Sequence, residues 1–112
     1  MLPLSSLNPE KAKSSPEMFV DSGVAELLRQ MYGRGAEKRR LVAKLAGAGA
    51  PLDDNGTFRI GERNLKVVRQ MLANNGIAIR GESVGGTIAR TMYLYLGDGR
   101  TVIKSRGQET EL

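Results

Sequence analysis

The feature that most constrains this chain is a change, part-way along, in the spacing of its apolar residues. Val20, Val24, Leu27, Leu28 and Met31 recur at helical intervals, which predicts an amphipathic helix with one buried stripe. Near the other end Met92, Leu94 and Leu96 alternate along one face, the period of a strand. A chain that uses both periods packs helices on a sheet. Aromatic residues make up only 4% of the chain, so its core rests on Leu, Val, Ile, Ala and Met, which suits that class better than a β-sandwich.

The punctuation between these segments predicts the remaining elements. Leu4 to Ser15 carries Ser, Pro and mixed charge without apolar periodicity and reads as a loop. Ser15 as N-cap with Pro16 in the first helical position opens the first helix, and Gly33 and Gly35 stop it. Gly23 within that helix costs roughly 1 kcal/mol relative to Ala, so a neighbour is expected to pack close to it. Leu41 to Ala46 reads as a strand, Asp53-Asp54-Asn55-Gly56 as a turn, and Gly61 to Asn75 as a second helix carrying Leu65, Val68, Met71 and Leu72. Asn74-Asn75-Gly76 closes that helix with residues that tolerate a left-handed backbone.

Ile77 to Ile79 reads as a strand, and Thr91 to Leu96 and Thr101 to Lys104 as a hairpin across Gly97-Asp98-Gly99. The expected order is α, β, α, β, β, β, a single α/β domain with a mixed sheet over residues 1–105. Residues 106–112 are expected to be a polar tail with no reason to be ordered.

Function is bounded first by what the chain lacks. With no Cys and no His it has no thiolate nucleophile, no imidazole base and no Cys- or His-based metal site, and no cofactor is implied. No apolar run approaches the ~20 residues that cross a bilayer, and no basic-then-apolar leader is visible at the start; the cytoplasm is the expected compartment.

The net charge of +5 is local. Arg29, Arg34, Lys38, Arg39, Arg40 and Lys44 stand against Glu37 alone, and the rest of the chain balances. Such a stretch suits a nucleic-acid or acidic-partner surface, or simply a solvated connection between a helix and a strand.

Three short motifs remain. Gly81-Glu82-Ser83-Val84-Gly85 matches G-x-S-x-G, but a nucleophile elbow needs a His and a following helix, so the segment reads as a polar turn with glycines at positive φ. Gly61, Arg63 and Asn64 at the start of the second helix present an anion site or a plain cap. Gly85-Gly86-Thr87-Ile88-Ala89-Arg90 allows close backbone approach to a ligand or to another segment. Asp21, at the edge of the first helix's stripe, faces solvent or takes a donor such as Arg63 or Arg90.

Read in order, Met1-Leu2-Pro3, Phe19-Val20-Asp21, Lys44-Leu45-Ala46-Gly47, Ile60-Gly61-Glu62-Arg63-Asn64, Gly76-Ile77 and Gly85-Gly86-Thr87-Ile88-Ala89-Arg90 resemble the bacterial chemoreceptor glutamine deamidase family CheD. The I-G-x-R-N block followed by G-G-x-x-x-R is the specific part. The resemblance implies a layered α/β/α fold whose N-terminal strands are missing here, and a family activity that hydrolyses receptor glutamine amides with a Cys nucleophile and a His base. It implies methyl-accepting chemoreceptors and a CheC-type phosphatase as partners, without membrane insertion or nucleic acid.

In the family pattern both catalytic residues fall before Met1, so this chain is expected to be inactive as written. Missing first strands would leave sheet edges exposed, which predicts poor solubility or a dimer. Gly61, Arg63, Asn64, Gly85, Gly86 and Arg90 either line the family's substrate cleft or serve structure. In the structural role Gly61 caps the helix, the glycine pair turns the chain, and the arginines hold loops through carbonyls. Gly47-Ala48-Gly49-Ala50 departs from the family's adjacent glycines at that loop.

Overall fold

The computed structural model describes residues 1–49 and 59–112, so the turn expected at Asp53-Asp54-Asn55-Gly56 lies outside the described residues. The chain divides into two compact units, Met1–Leu41 with Arg63–Ala78 and Val42–Glu62 with Ile79–Leu112.

The first unit is built on an extended N-terminal segment. Leu2 makes a parallel bridge with Phe19, donating its N–H to the Met18 carbonyl at 2.8 Å and accepting from Val20 N–H at 2.8 Å. This bridge overrides the expected helix start. Pro16–Met18 forms a single 3-10 turn, Phe19 is extended (φ −122°, ψ 141°), and the first helix of the sequence reading begins only at Val20. Phe19 is 1% exposed, and burying such a ring contributes about 2–3 kcal/mol, more than a cap at Ser15 would.

The loop expected over Leu4 to Ser15 is instead a 3-10 turn at Ser5–Leu7 and a short helix α1, Pro9–Ser14. Asn8 caps α1 by accepting Lys11 N–H, with Pro9 in the first turn. The long helix α2 spans Val20–Gly33. At Gly23 a Cβ would meet Glu17 Cα at 3.3 Å and the Pro16 carbonyl at 3.4 Å, the close neighbour its sequence position implies. Helix α3, Ile60–Asn74, ends in a Schellman motif: Ile77 N–H reaches the Leu72 carbonyl, Gly76 N–H reaches Ala73, and Gly76 takes φ +69°. Phe19, Val20, Leu72 and Ile77 are this unit's buried apolar residues.

The second unit holds the strands. β1, Val42–Gly47, pairs in parallel with β2, Ala78–Val84. β3, Thr91–Leu94, β4, Thr101–Ser105, and β5, Gln108–Glu111, form an antiparallel sheet in the order β3-β4-β5. Parallel and antiparallel pairings both occur, in two sheets, and the class is mixed α/β.

The expected hairpin forms with Met92 opposite Ile103 and Leu94 opposite Thr101, and Thr101, Val102 and Ile103 are buried. β2 continues beyond Ile79, so Gly81 to Val84 is strand, not turn. The residues expected as an unordered tail supply β5, with Ser105 opposite Gln108 across Arg106 (φ +52°) and Gly107 (φ +76°). Two central residues at positive φ make the mirror-image turn that matches strand twist. Pairing with buried β4 orders a segment too polar to order itself.

Candidate functional site

The residues that carry chemistry in the second unit converge on the end of β1. Gly47 has φ +105° and Ala48 φ +53°, so the chain leaves the strand through two consecutive left-handed residues. An L-residue such as Ala48 holds this conformation at a cost of order 1 kcal/mol, and its surroundings must offset that.

They do so by close backbone contact on two sides. On one side is Gly61 in the first turn of α3, where a Cβ would lie 2.8 Å from the Ala48 carbonyl carbon, 3.1 Å from the Gly49 carbonyl oxygen and nearer still to the Ala48 oxygen. On the other is the Gly85-Gly86 turn, whose residues take φ +78° and +67°. A Cβ on Gly49 would lie 3.4 Å from the Gly86 carbonyl and 3.5 Å from that of Gly85.

Arg90 locks this arrangement. Its Nη2 donates to the Gly85 carbonyl at 2.7 Å, Nη1 to the Gly47 carbonyl at 3.3 Å and Nε to Ser83 Oγ at 3.0 Å. Gly85 N–H also donates to the Gly47 carbonyl, at 2.9 Å. Three nitrogens of one planar guanidinium each reach a different acceptor, whereas the three N–H donors of an ammonium all sit on a single nitrogen. Ser83 thus accepts from a group that is only a donor and cannot take up the hydroxyl proton; Arg90 does not activate the serine of the G-x-S-x-G match. Beside the clamp, Ser83, Ile88, Ser105 and Arg106 border a groove of about 380 Å³.

The six motif residues therefore separate. Gly61, Gly85, Gly86 and Arg90 meet around residues 47–49 in the second unit, whereas Arg63 and Asn64 belong to the first. Arg63 is exposed and, among the described residues, holds no carbonyl, unlike the loop-holding role expected of it. Asn64 donates from Nδ2 to the Met1 carbonyl at 2.9 Å.

Asp21 is bound by neither arginine. It accepts from Ser5 N–H at 2.8 Å, Ser5 Oγ at 2.9 Å and Ser22 N–H at 2.7 Å. Those donors were missed because Ser5 sits in a turn that nothing in the local pattern announces.

The basic stretch is partly neutralised. Arg29 pairs with Glu26, whose carboxyl is held down at about 2 chiefly by that hydrogen bond. Arg39 and Arg40 share Glu37, and Lys44 donates to the Leu112 main-chain oxygen at 2.7 Å. Lys38–Arg40 forms an exposed 3-10 turn, the solvated connection between helix and strand.

Comparison with known proteins gives this scaffold its lineage. A family model described as CheD chemotactic sensory transduction matches residues 1–105. The chain belongs to the CheD family. A probable chemoreceptor glutamine deamidase CheD from Solibacter usitatus (strain Ellin6076) is 42% identical over 112 residues, covering 100% of this chain and 66% of that protein. A second CheD, from Syntrophus aciditrophicus (strain SB), is 41% identical over 96% of this chain and 67% of its own length. A third, from Anaeromyxobacter dehalogenans (strain 2CP-C), is 40% identical over 99% and 70%. The chain thus spans about two thirds of the length of these CheD relatives. Among the described residues, no helix is long and apolar enough to cross a membrane.

Proposed function

We propose that this chain is the scaffold and docking portion of a CheD-type chemotaxis protein, and that its 112 residues do not deamidate glutamine unaided. The Arg90 clamp is the observation that carries this reading. The guanidinium, both turn glycines and Gly61 are occupied in holding main chain together, which is the work of a frame. Thiolate attack on a carboxamide needs a nucleophile and a base in hydrogen-bond reach, and the sequence contains neither Cys nor His. Lacking both members of such a unit removes nearly all of the rate.

In this reading the substrate class of the whole enzyme is the glutamine side chain of methyl-accepting chemoreceptors. The retained surface docks those receptors or a CheC-type phosphatase in the cytoplasm. The test incubates the purified chain with chemoreceptor-bearing membranes. Co-sedimentation without any glutamine-to-glutamate charge change is expected. Turnover by the chain alone would overturn the chemistry, and failure to co-sediment would overturn the docking role.

A further inference from the structure

The antiparallel sheet has two edges, and they are finished differently. β5 carries Glu109 and Glu111, and charges on an edge strand keep other strands from adding to it. β3 has no such guard: from Thr91 to Leu96 the chain holds no charge, no Pro and no Gly, and every residue of β3 is exposed. On the side away from β4 it has no neighbouring strand among the described residues.

The register shows which main-chain groups that edge offers. Tyr95 N–H donates to the Arg100 carbonyl at 2.9 Å, and in the same register Tyr93 lies opposite Val102 and Thr91 opposite Lys104. Residues two apart along a strand turn their N–H and C=O to the same side. Thr91, Tyr93 and Tyr95 therefore face β4, and the main-chain groups of Met92 and Leu94 point outward. Two outward residues with one between them make a self-complementary edge. When β3 meets a second β3 running the opposite way, Met92 of each copy exchanges two hydrogen bonds with Leu94 of the other, and Tyr93 faces its own counterpart on the two-fold axis.

The side chains agree with that register. Met92 and Leu94 fall side by side on one face, the tyrosines meet on the other, and no like charges are brought opposite each other. Met92, Tyr93, Leu94, Tyr95 and Leu96 are all exposed, Leu94 by 60% and Leu96 by 89%. Together they offer on the order of 500 Å² per copy, which reaches the ~1,000 Å² in total that a specific interface requires. Pairing β3 with β5 of another copy would leave further edges open and grow without closing, whereas β3 on β3 closes at two.

We propose that β3 pairs with β3 of a second copy of this chain, joining two three-stranded sheets into one of six strands about a two-fold axis. Sedimentation equilibrium of the full chain is expected to show a mass that doubles with rising concentration and goes no further, and Leu94→Pro is expected to hold it monomeric. Pro at this position removes an outward N–H and leaves the bonds to β4 in place; unchanged amide exchange at Tyr93 and Tyr95 verifies that the hairpin persists. A monomer at every concentration, growth beyond a dimer, or a dimer that survives Leu94→Pro with the hairpin intact overturns the proposal.

Cysteine, which the chain otherwise lacks, reads the register separately. Tyr93→Cys places two thiols across the axis with Cα atoms about 4.5 Å apart, within disulfide reach, whereas Thr91→Cys places them roughly 14 Å apart. Under air oxidation, cross-linked dimer is expected to form about tenfold faster from Tyr93→Cys than from Thr91→Cys; equal rates overturn the register and the proposal with it. No measurement uses a receptor, so loss of this pairing and loss of the docking role proposed above are separately visible.

Discussion

The two units solve the same problem with opposite charges. In the first, an anion collects donors: the Asp21 carboxylate gathers the N–H and hydroxyl of Ser5 and the N–H of Ser22, tying the N-terminal turn to the start of α2. In the second, a cation collects acceptors: Arg90 gathers the carbonyls of Gly47 and Gly85 and the hydroxyl of Ser83, tying the end of β1 to the turn after β2. The choice follows from which backbone groups are left over. The first turn of a helix has unpaired N–H groups and favours an acid; a chain leaving a strand through left-handed residues leaves carbonyls to be satisfied.

The units also differ in how tightly backbone approaches backbone, and the largest expected effect breaks that contrast. Gly61→Ala forces a Cβ into the Ala48 peptide and is expected to destabilise the second unit by about 3 kcal/mol, measured by urea unfolding. Arg90→Lys comes next. A single ammonium replaces a fork with three acceptors, and a loss of about 2 kcal/mol is expected; retention of full stability would show that the clamp is ornamental.

Asp21→Ala is expected to cost about 1–2 kcal/mol by stranding the Ser5 and Ser22 donors and removing an acid from the first turn of α2. Amide exchange should quicken at Ser5 and leave Gly85 unchanged if the two devices are local. Gly23→Ala sharpens the comparison with Gly61. The helix-propensity gain of roughly 1 kcal/mol is offset by a Cβ 3.3 Å from Glu17 Cα, so a net change within about 1 kcal/mol is expected.

The smallest effect concerns Glu26. Its folded pKa of about 2 lies below the ordinary 4.5, so any stabilisation from the Arg29 pair is present above pH 4.5 and is lost as pH falls toward 2. An NMR titration should place its midpoint near 2 and move it up in Arg29→Ala.

Much of the fold was legible where one local signal sufficed. Helix α3 needed only its apolar spacing and the Asn-Asn-Gly close. The hairpin β3–β4 needed only alternation and a glycine-bounded turn. Elements that depend on a distant partner were illegible. Phe19 reads as helical until Leu2 draws it into a bridge, and β5 is polar enough to pass for a tail until β4 pairs with it. In the candidate site, Gly61, Gly85, Gly86 and Arg90 were recognisable only as part of a set that also held Arg63 and Asn64. That Gly47 and Ser83 complete the clamp, and that Arg63 stands outside it, was not.

What the order of residues determined alone is chemical. A chain without thiol or imidazole leaves any catalysis to hydroxyls, lysines and carboxylates, and no folding can add a group the sequence does not contain. It also determined the two periodicities, because burial demands an apolar stripe whatever that stripe packs against. Tertiary structure alone decided which donors meet which acceptors: Asp21 with Ser5, Arg90 with Gly47, Asn64 with Met1. Hydrogen bonds act over about 3 Å, and residues 16, 43 or 63 positions apart come within that reach only once the chain has folded.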